Sequence, residues 1–208
     1  MRFDMKNESP VPKEIYSKEY TKQIQELKNS KVLKRFANSR QALSVNLHRP
    51  NYHMTSPECA MHDANGLCRY KGRWHLFYQA YPPEHPKQHW GHAVSDDLIH
   101  WKDLPYAIYP GPELACFSGS TLAEKDRVIA MYHGTTVGNM VAVSEDDLLL
   151  NFKKLTGNAV IDIDSFGKEY LVFDPCIWKK GDYYYSLSGG YLPHGKAPKY
   201  RAADFLFR

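Results

Sequence analysis

Three polar side chains recur ahead of a repeated hairpin. Asp63, Ser118 and Asp174 lie eight, seven and six residues before Lys71, Lys125 and Lys180. Equivalent positions of successive repeats face the same place, so two carboxylates and a hydroxyl would converge on one pocket. A pair of carboxylates flanking a bond is the arrangement that glycoside hydrolysis uses. Taken singly, each aspartate has a plainer reading: Asp63 ahead of Asn65-Gly66 and Asp174 ahead of Pro175 are common turn residues. Only the shared register turns them into candidates for chemistry.

The elements that must position them are short strands. Lys71-Gly72-Arg73 opens the run Trp74–Tyr78, Lys125-Asp126-Arg127 opens Val128–Tyr132, and Lys180-Gly181-Asp182 opens Tyr183–Leu187, so the hairpins are 54 and 55 residues apart. Further along, Ser95-Asp96-Asp97-Leu98 leading to Trp101-Lys102 parallels Ser144-Glu145-Asp146-Asp147 leading to Phe152-Lys153. A period near 50 residues, filled with strands and tight turns, predicts propeller blades that bury their faces by stacking. The fold expected is all-β, with just under three blades, because the third unit's Ser-Asp-Leu-Trp element falls about where the chain reaches Arg208. Ahead of it, Ile15, Tyr16, Tyr20, Ile24, Leu27, Val32, Leu33 and Phe36 recur at spacings near three and four, which predicts helix from about Pro12 to Leu47. The division expected is a helical extension over 1–47 and a partial propeller over 48–208. Trp101 and Phe152, at matching places in the repeat, are expected in the blade core.

Composition narrows the partners. With 27 basic against 23 acidic residues and no charge runs, nothing suggests a phosphate-binding face, so no nucleic-acid partner is expected. Aromatic residues make up 13% of the chain, with Tyr leading, which suits a β-rich core or a surface that stacks on sugar rings. Cys59, Cys68, Cys116 and Cys176 lack CxxC spacing and read as buried thiols. His85, His89 and His92 stand on a loop with Pro82, Pro83 and Pro86, a weak ligand pattern, so no metal is expected. The N-terminus carries no apolar signal core and no stretch nears the roughly 20 apolar residues of a membrane span; the expected compartment is the cytoplasm.

Six segments occur in order: Arg49-Pro50-Asn51-Tyr52-His53, Met61-His62-Asp63-Ala64-Asn65-Gly66-Leu67, Leu76-Phe77-Tyr78-Gln79, His89-Trp90-Gly91-His92-Ala93-Val94-Ser95-Asp96-Asp97-Leu98-Ile99-His100-Trp101, Cys116-Phe117-Ser118-Gly119-Ser120 and Phe173-Asp174-Pro175. Together they resemble glycoside hydrolase family 32, which includes invertase, sucrose-6-phosphate hydrolase, inulinase and levanase. The resemblance implies a five-bladed propeller and hydrolysis of terminal non-reducing β-D-fructofuranosides by a retaining mechanism, without metal or organic cofactor. It implies that Asp63 is the nucleophile and Asp174 the stabiliser of the transition state. It also implies that His62, Gln79, Trp90, Phe117, Ser118 and Phe173 line the sugar site.

The chain departs from the family pattern at His62 and Ala64, where the family has Asn and Pro, and at Phe173, where it has Arg. The family's acid/base glutamate, in a Glu-Cys motif of the fourth blade, has no counterpart before Arg208. Glu58-Cys59 has the right dipeptide, but it lies five residues before Asp63 on the same blade, not across a bound sugar. The chain therefore reads as an incomplete fragment of a fructosidase whose partner is a small carbohydrate, with no membrane partner. Two rivals stay open: a sister five-bladed arabinosidase or xylosidase, and a non-catalytic sugar-binding or assembly module that self-associates through open blade edges.

Overall fold

The computed structural model describes residues 9–50, 52–163, 171–193 and 200–208. Strands β1 (Met61–Tyr70), β2 (Arg73–Ala80), β3 (His89–Ser95) and β4 (Trp101–Ile108) form one antiparallel sheet in chain order. The next sheet runs β5 (Cys116–Ala123), β6 (Val128–Gly134), β7 (Gly138–Ser144) and β8 (Lys153–Lys154), with β9 (Ile161–Asp162) also paired to β7. The third joins β10 (Leu171–Lys180), β11 (Tyr183–Pro193) and β12 (Tyr200–Phe207). Each sequence repeat is thus one up-and-down sheet, and the architecture is all-β, of the propeller type. The opening hairpin of the first sheet turns on Lys71 and Gly72, both with positive φ (47° and 83°). Left-handed residues at both central positions match the twist of the flanking strands.

Side-chain alternation shows why the sheets stack. Along β6, Val128, Ala130 and Tyr132 pack with Phe77 and Trp90 of the first sheet, whereas Ile129 and Met131 pack with Ile177 of the third. The period of two in a strand sends successive residues to opposite faces, so a middle blade is apolar on both. All seven residues of β6 are buried accordingly. Phe152 lies in the first of these cores as expected. Trp101 does not: it is half-buried at the rim, with its indole N–H donating to the Leu98 carbonyl.

The N-terminal segment is less helical than its periodicity predicts. Helices cover only α1 (Tyr20–Leu27) and α2 (Lys31–Leu43). Before them the backbone is non-helical because other groups claim it: Tyr16 exchanges hydrogen bonds with the Asn151 side chain through its N–H and its carbonyl. Ile15, counted as part of the apolar stripe, is left 88% exposed. Ser30 caps α2 by accepting from the Leu33 N–H, which separates the two helices. From α2, Val32 and Phe36 pack on Tyr78 and Tyr106 of the first sheet.

All four cysteines are free thiols; Cys68 and Cys116 are buried and Cys59 half-buried, but Cys176 is exposed, against the expectation for it. No helix among the described residues is long and apolar enough to cross a membrane.

Candidate active site

The leading strands of the three sheets stand side by side, β5 between β1 and β10. Each carries a β-bulge at the same place. The register skips between Met61 and Ala64, between Cys116 and Gly119, and between Val172 and Pro175. In each, two residues oppose one: His62-Asp63 opposite Gln79, Phe117-Ser118 opposite His133, and Phe173-Asp174 opposite Gly189. A bulge re-aims side chains out of the pleat. Six of the expected site residues are therefore bulge residues, and a seventh, Gln79, faces a bulge.

Direct bonds join the first two blades at this level. Ser118 Oγ donates to Asp63 Oδ2 at 2.6 Å, and Gln79 Nε2 donates to Ser118 Oγ at 2.8 Å and, more weakly, to the same carboxylate oxygen at 3.4 Å. Asp63 is exposed and Gln79 buried. The carboxylate is thus held through one oxygen on a surface that is open on its other side, which suits an attacking group.

An aromatic run continues toward the third blade. The His133 ring lies 6.0 Å from Phe117 and 4.9 Å from Phe173, centroid to centroid, and Phe173 meets Tyr191 edge-on at 5.6 Å. Burial pushes the His133 imidazole below its usual range, the Asn139 amide and the charge of Asp174 opposing that shift. Asp174 thus faces the same run, itself exposed.

Trp90 is a correction. It is fully buried, packed against Phe77 and Tyr132 in the core between the blades, and offers no face to a sugar. Its indole N–H donates to the Phe117 carbonyl at 2.9 Å, so it braces the second bulge from behind. Glu58 is no acid either: its side chain is 4% exposed, and one oxygen is held by Arg35 and the Tyr106 hydroxyl. Among the described residues no glutamate bonds to the groups of this site. Of the three histidines, His85 meets His89 edge-on at 5.5 Å, while His89 bonds Ser9 and the Lys87 carbonyl and His92 turns away to His75.

Three residues escaped the sequence reading. His133 was legible, since Tyr132-His133 repeats Tyr78-Gln79 one blade on. Tyr81 and Gln88 were not, because a loop brings them to the site: Tyr81 Oη bonds His62 Nδ1 at 3.0 Å and accepts from Gln88 Nε2 at 2.7 Å.

Residues 53–207 match the Glycosyl hydrolases family 32 N-terminal domain. The chain belongs to that family. Its family-32 domain is 34% identical over 157 residues to a sucrose-6-phosphate hydrolase of Zymomonas mobilis, covering 67% of this chain and 30% of that protein. A levanase of Bacillus subtilis is 36% identical over 129 residues, 55% of this chain and 19% of its own length. Among solved structures, a Bombyx mori β-fructofuranosidase superposes with a TM-score of 0.65 at 30% identity, over 87% of this chain and 40% of the silkworm enzyme. The chain spans about a third of the length of the sucrose-6-phosphate hydrolases it matches.

Proposed function

We propose that this family-32 domain forms the nucleophile-bearing side of a retaining β-fructofuranosidase acting on sucrose, sucrose 6-phosphate or fructo-oligosaccharides. The observation that carries the reading is the carboxylate of Asp63, held by Ser118 across two blades and otherwise exposed. In the first step a carboxylate oxygen of Asp63 bonds to the anomeric carbon as the glycosidic bond breaks, and the departing oxygen takes a proton from an acid. In the second, water attacks the same carbon while the conjugate base of that acid takes the water's proton, releasing fructose and restoring both the carboxylate and the acid. In this reading Asp174 supplies the negative charge that stabilises the oxocarbenium-like transition state, while Gln79 and Ser118 hold hydroxyls. The reading requires an acid that the described residues do not bring to this site.

Fructose release from sucrose by the protein in its natural length tests this. Asp63→Ala is expected to abolish release while leaving the fold intact, and release persisting in that variant overturns the assignment.

A second reading is favoured by Phe173, which puts an apolar ring where relatives of this type carry a donor fork, and by the lack of a glutamate at the site among the described residues. In it the domain binds sugar without cleaving it. Sucrose binding by the natural-length protein, with no fructose released, separates the two.

A further inference from the structure

Gln88, Tyr81 and His62 form a chain of hydrogen bonds, and donation from Gln88 leaves the Tyr81 hydrogen available to its other partner. Gln88 Nε2 donates to Tyr81 Oη at 2.7 Å, and an amide nitrogen has no other role. Tyr81 has one hydroxyl hydrogen, and its second short contact is His62 Nδ1 at 3.0 Å. Directed at Nδ1, that hydrogen makes Nδ1 an acceptor without a proton; the alternative, a Tyr81 oxygen that accepts from both neighbours, is the one the test below separates. A neutral imidazole then bears its proton on Nε2, and His62 is exposed, adjoining Asp63 in the same bulge.

The loop that brings the chain together is pinned at both ends. The Tyr81 N–H donates to Cys59 Sγ at 3.3 Å, and the Gln88 carbonyl accepts from the Cys116 N–H at 2.8 Å. The rings of Tyr81 and His62 also meet edge-on, 4.7 Å apart. Burial pushes the Tyr81 hydroxyl up, with donation from Gln88 opposing and the charge of Asp63 adding to it.

We propose that Gln88 and Tyr81 are positioning residues that lock His62 as the Nε2–H tautomer, so that it presents a single N–H donor to a sugar hydroxyl next to Asp63. This deepens the fructoside reading and rests on it. A histidine offers one donor of fixed direction, set from behind by a residue pair that neither hairpin repeats.

The test uses the chain labelled with 15N-histidine, at a pH where the imidazole is neutral, with His62 assigned by its loss in His62→Asn. In the free protein the His62 Nδ1 is expected to show the unprotonated signature and Nε2 the protonated one, and Tyr81→Phe is expected to mix the tautomers. Titration with D-fructose is expected to give binding about 3- to 10-fold weaker in Tyr81→Phe, the loss of one hydrogen bond's worth of order, with Gln88→Leu in the same direction. A protonated Nδ1 in the unmodified chain overturns the proposal. So does the right tautomer with fructose affinity unchanged in Tyr81→Phe but lost in Ser118→Ala. If no variant and not the unmodified chain binds fructose or sucrose, the fructoside reading fails and the sugar-facing role with it, while the tautomer signature still decides whether the relay exists.

Discussion

Ser118 Oγ donates to Asp63 Oδ2 at 2.6 Å, joining bulges that lie 55 residues apart on neighbouring blades. The serine hydroxyl also accepts from Gln79, so its hydrogen is committed to the carboxylate and the contact cannot reverse. Among the described residues, Ser118→Ala leaves the Asp63 carboxylate only the 3.4 Å contact with Gln79. A neutral hydrogen bond contributes roughly 0.5–1.5 kcal/mol net, more when one partner is charged. Fructose release by the natural-length protein is expected to fall about 10-fold or more in this variant, with the melting temperature nearly unchanged. An unaltered rate would show that the bond does not hold the nucleophile.

The bulge of β5 depends on the glycine that follows it. A Cβ on Gly119 would lie 2.1 Å from the Met131 carbonyl oxygen and 2.5 Å from Tyr132 Cα. Both are backbone atoms that no rotamer change can move. Gly119→Ala must push β5 off β6, and overpacking of this kind costs typically 1–3 kcal/mol, more where backbone is displaced. Gly189 stands opposite the third bulge with nothing within 4 Å of its added Cβ, so Gly189→Ala is the matched control. Urea unfolding should show a clear loss of stability for the first and a change within about 0.5 kcal/mol for the second. Equal behaviour of the two would remove the packing argument.

Much of this site was readable because a propeller repeats its geometry. The offsets from each hairpin lysine brought Asp63, Ser118 and Asp174 into register, and the structure adds the reason, a bulge in the same place on each leading strand. The readings failed where one position serves two neighbours. Trp90 alternates into the interblade core, so an aromatic ring beside a polar motif reads like a sugar platform when it is a brace. Trp101 and Phe152 occupy matching places, but only Phe152 is covered by a neighbouring blade. Periodicity put Ile15 and Tyr16 on a helix, yet the side chain of Asn151, over a hundred residues away, had already claimed the backbone of Tyr16. Tyr81 and Gln88 leave no trace in any period, because a proline-rich loop closes to bring them together.

Buried histidines set the acid limit of the fold. His75 Nδ1 and His92 Nε2 lie 3.0 Å apart, and their outer nitrogens, His75 Nε2 and His92 Nδ1, are buried without partners. Burial holds both rings low, with a further contribution to His75 from Arg73; His75 is brought to about 4 and His92 is also depressed. An unfolded histidine titrates near 6.5. Between about pH 6.5 and 4 the unfolded chain binds more protons than the folded one, so stability falls as pH falls and is independent of these groups above that window. The slope is on the order of 1 kcal/mol per pH unit for each such histidine. Denaturation midpoints at pH 7.5 and 5.0 are expected to differ strongly, and less so in His75→Gln. A midpoint that is flat between those values would mean that the rings titrate normally.

Gln23 fastens the N-terminal extension to the second blade. Its side chain is fully buried in a helix of only eight residues. Nε2 donates to Asp146 Oδ1 at 2.6 Å, and Oε1 accepts from the Leu148 N–H at 3.0 Å. Asp146 is itself buried, and takes further bonds from Ser144, Leu150 and Asn151. Gln23→Ala leaves the Leu148 N–H unpaired and removes one donor from a buried carboxylate, at a cost of about 1–3 kcal/mol. Gln23→Glu keeps the shape but sets a second carboxylate against the first. Like charges at that distance cannot both ionise in a buried site, so the loss at neutral pH should exceed that of the alanine variant. The ordering of unfolding midpoints at pH 7.5, unmodified above Ala above Glu, together with faster tryptic cleavage at Lys18, Lys22 or Lys28, is the expected result. A glutamate variant as stable as the unmodified chain at pH 7.5 would mean that Asp146 is not the charge that Gln23 serves.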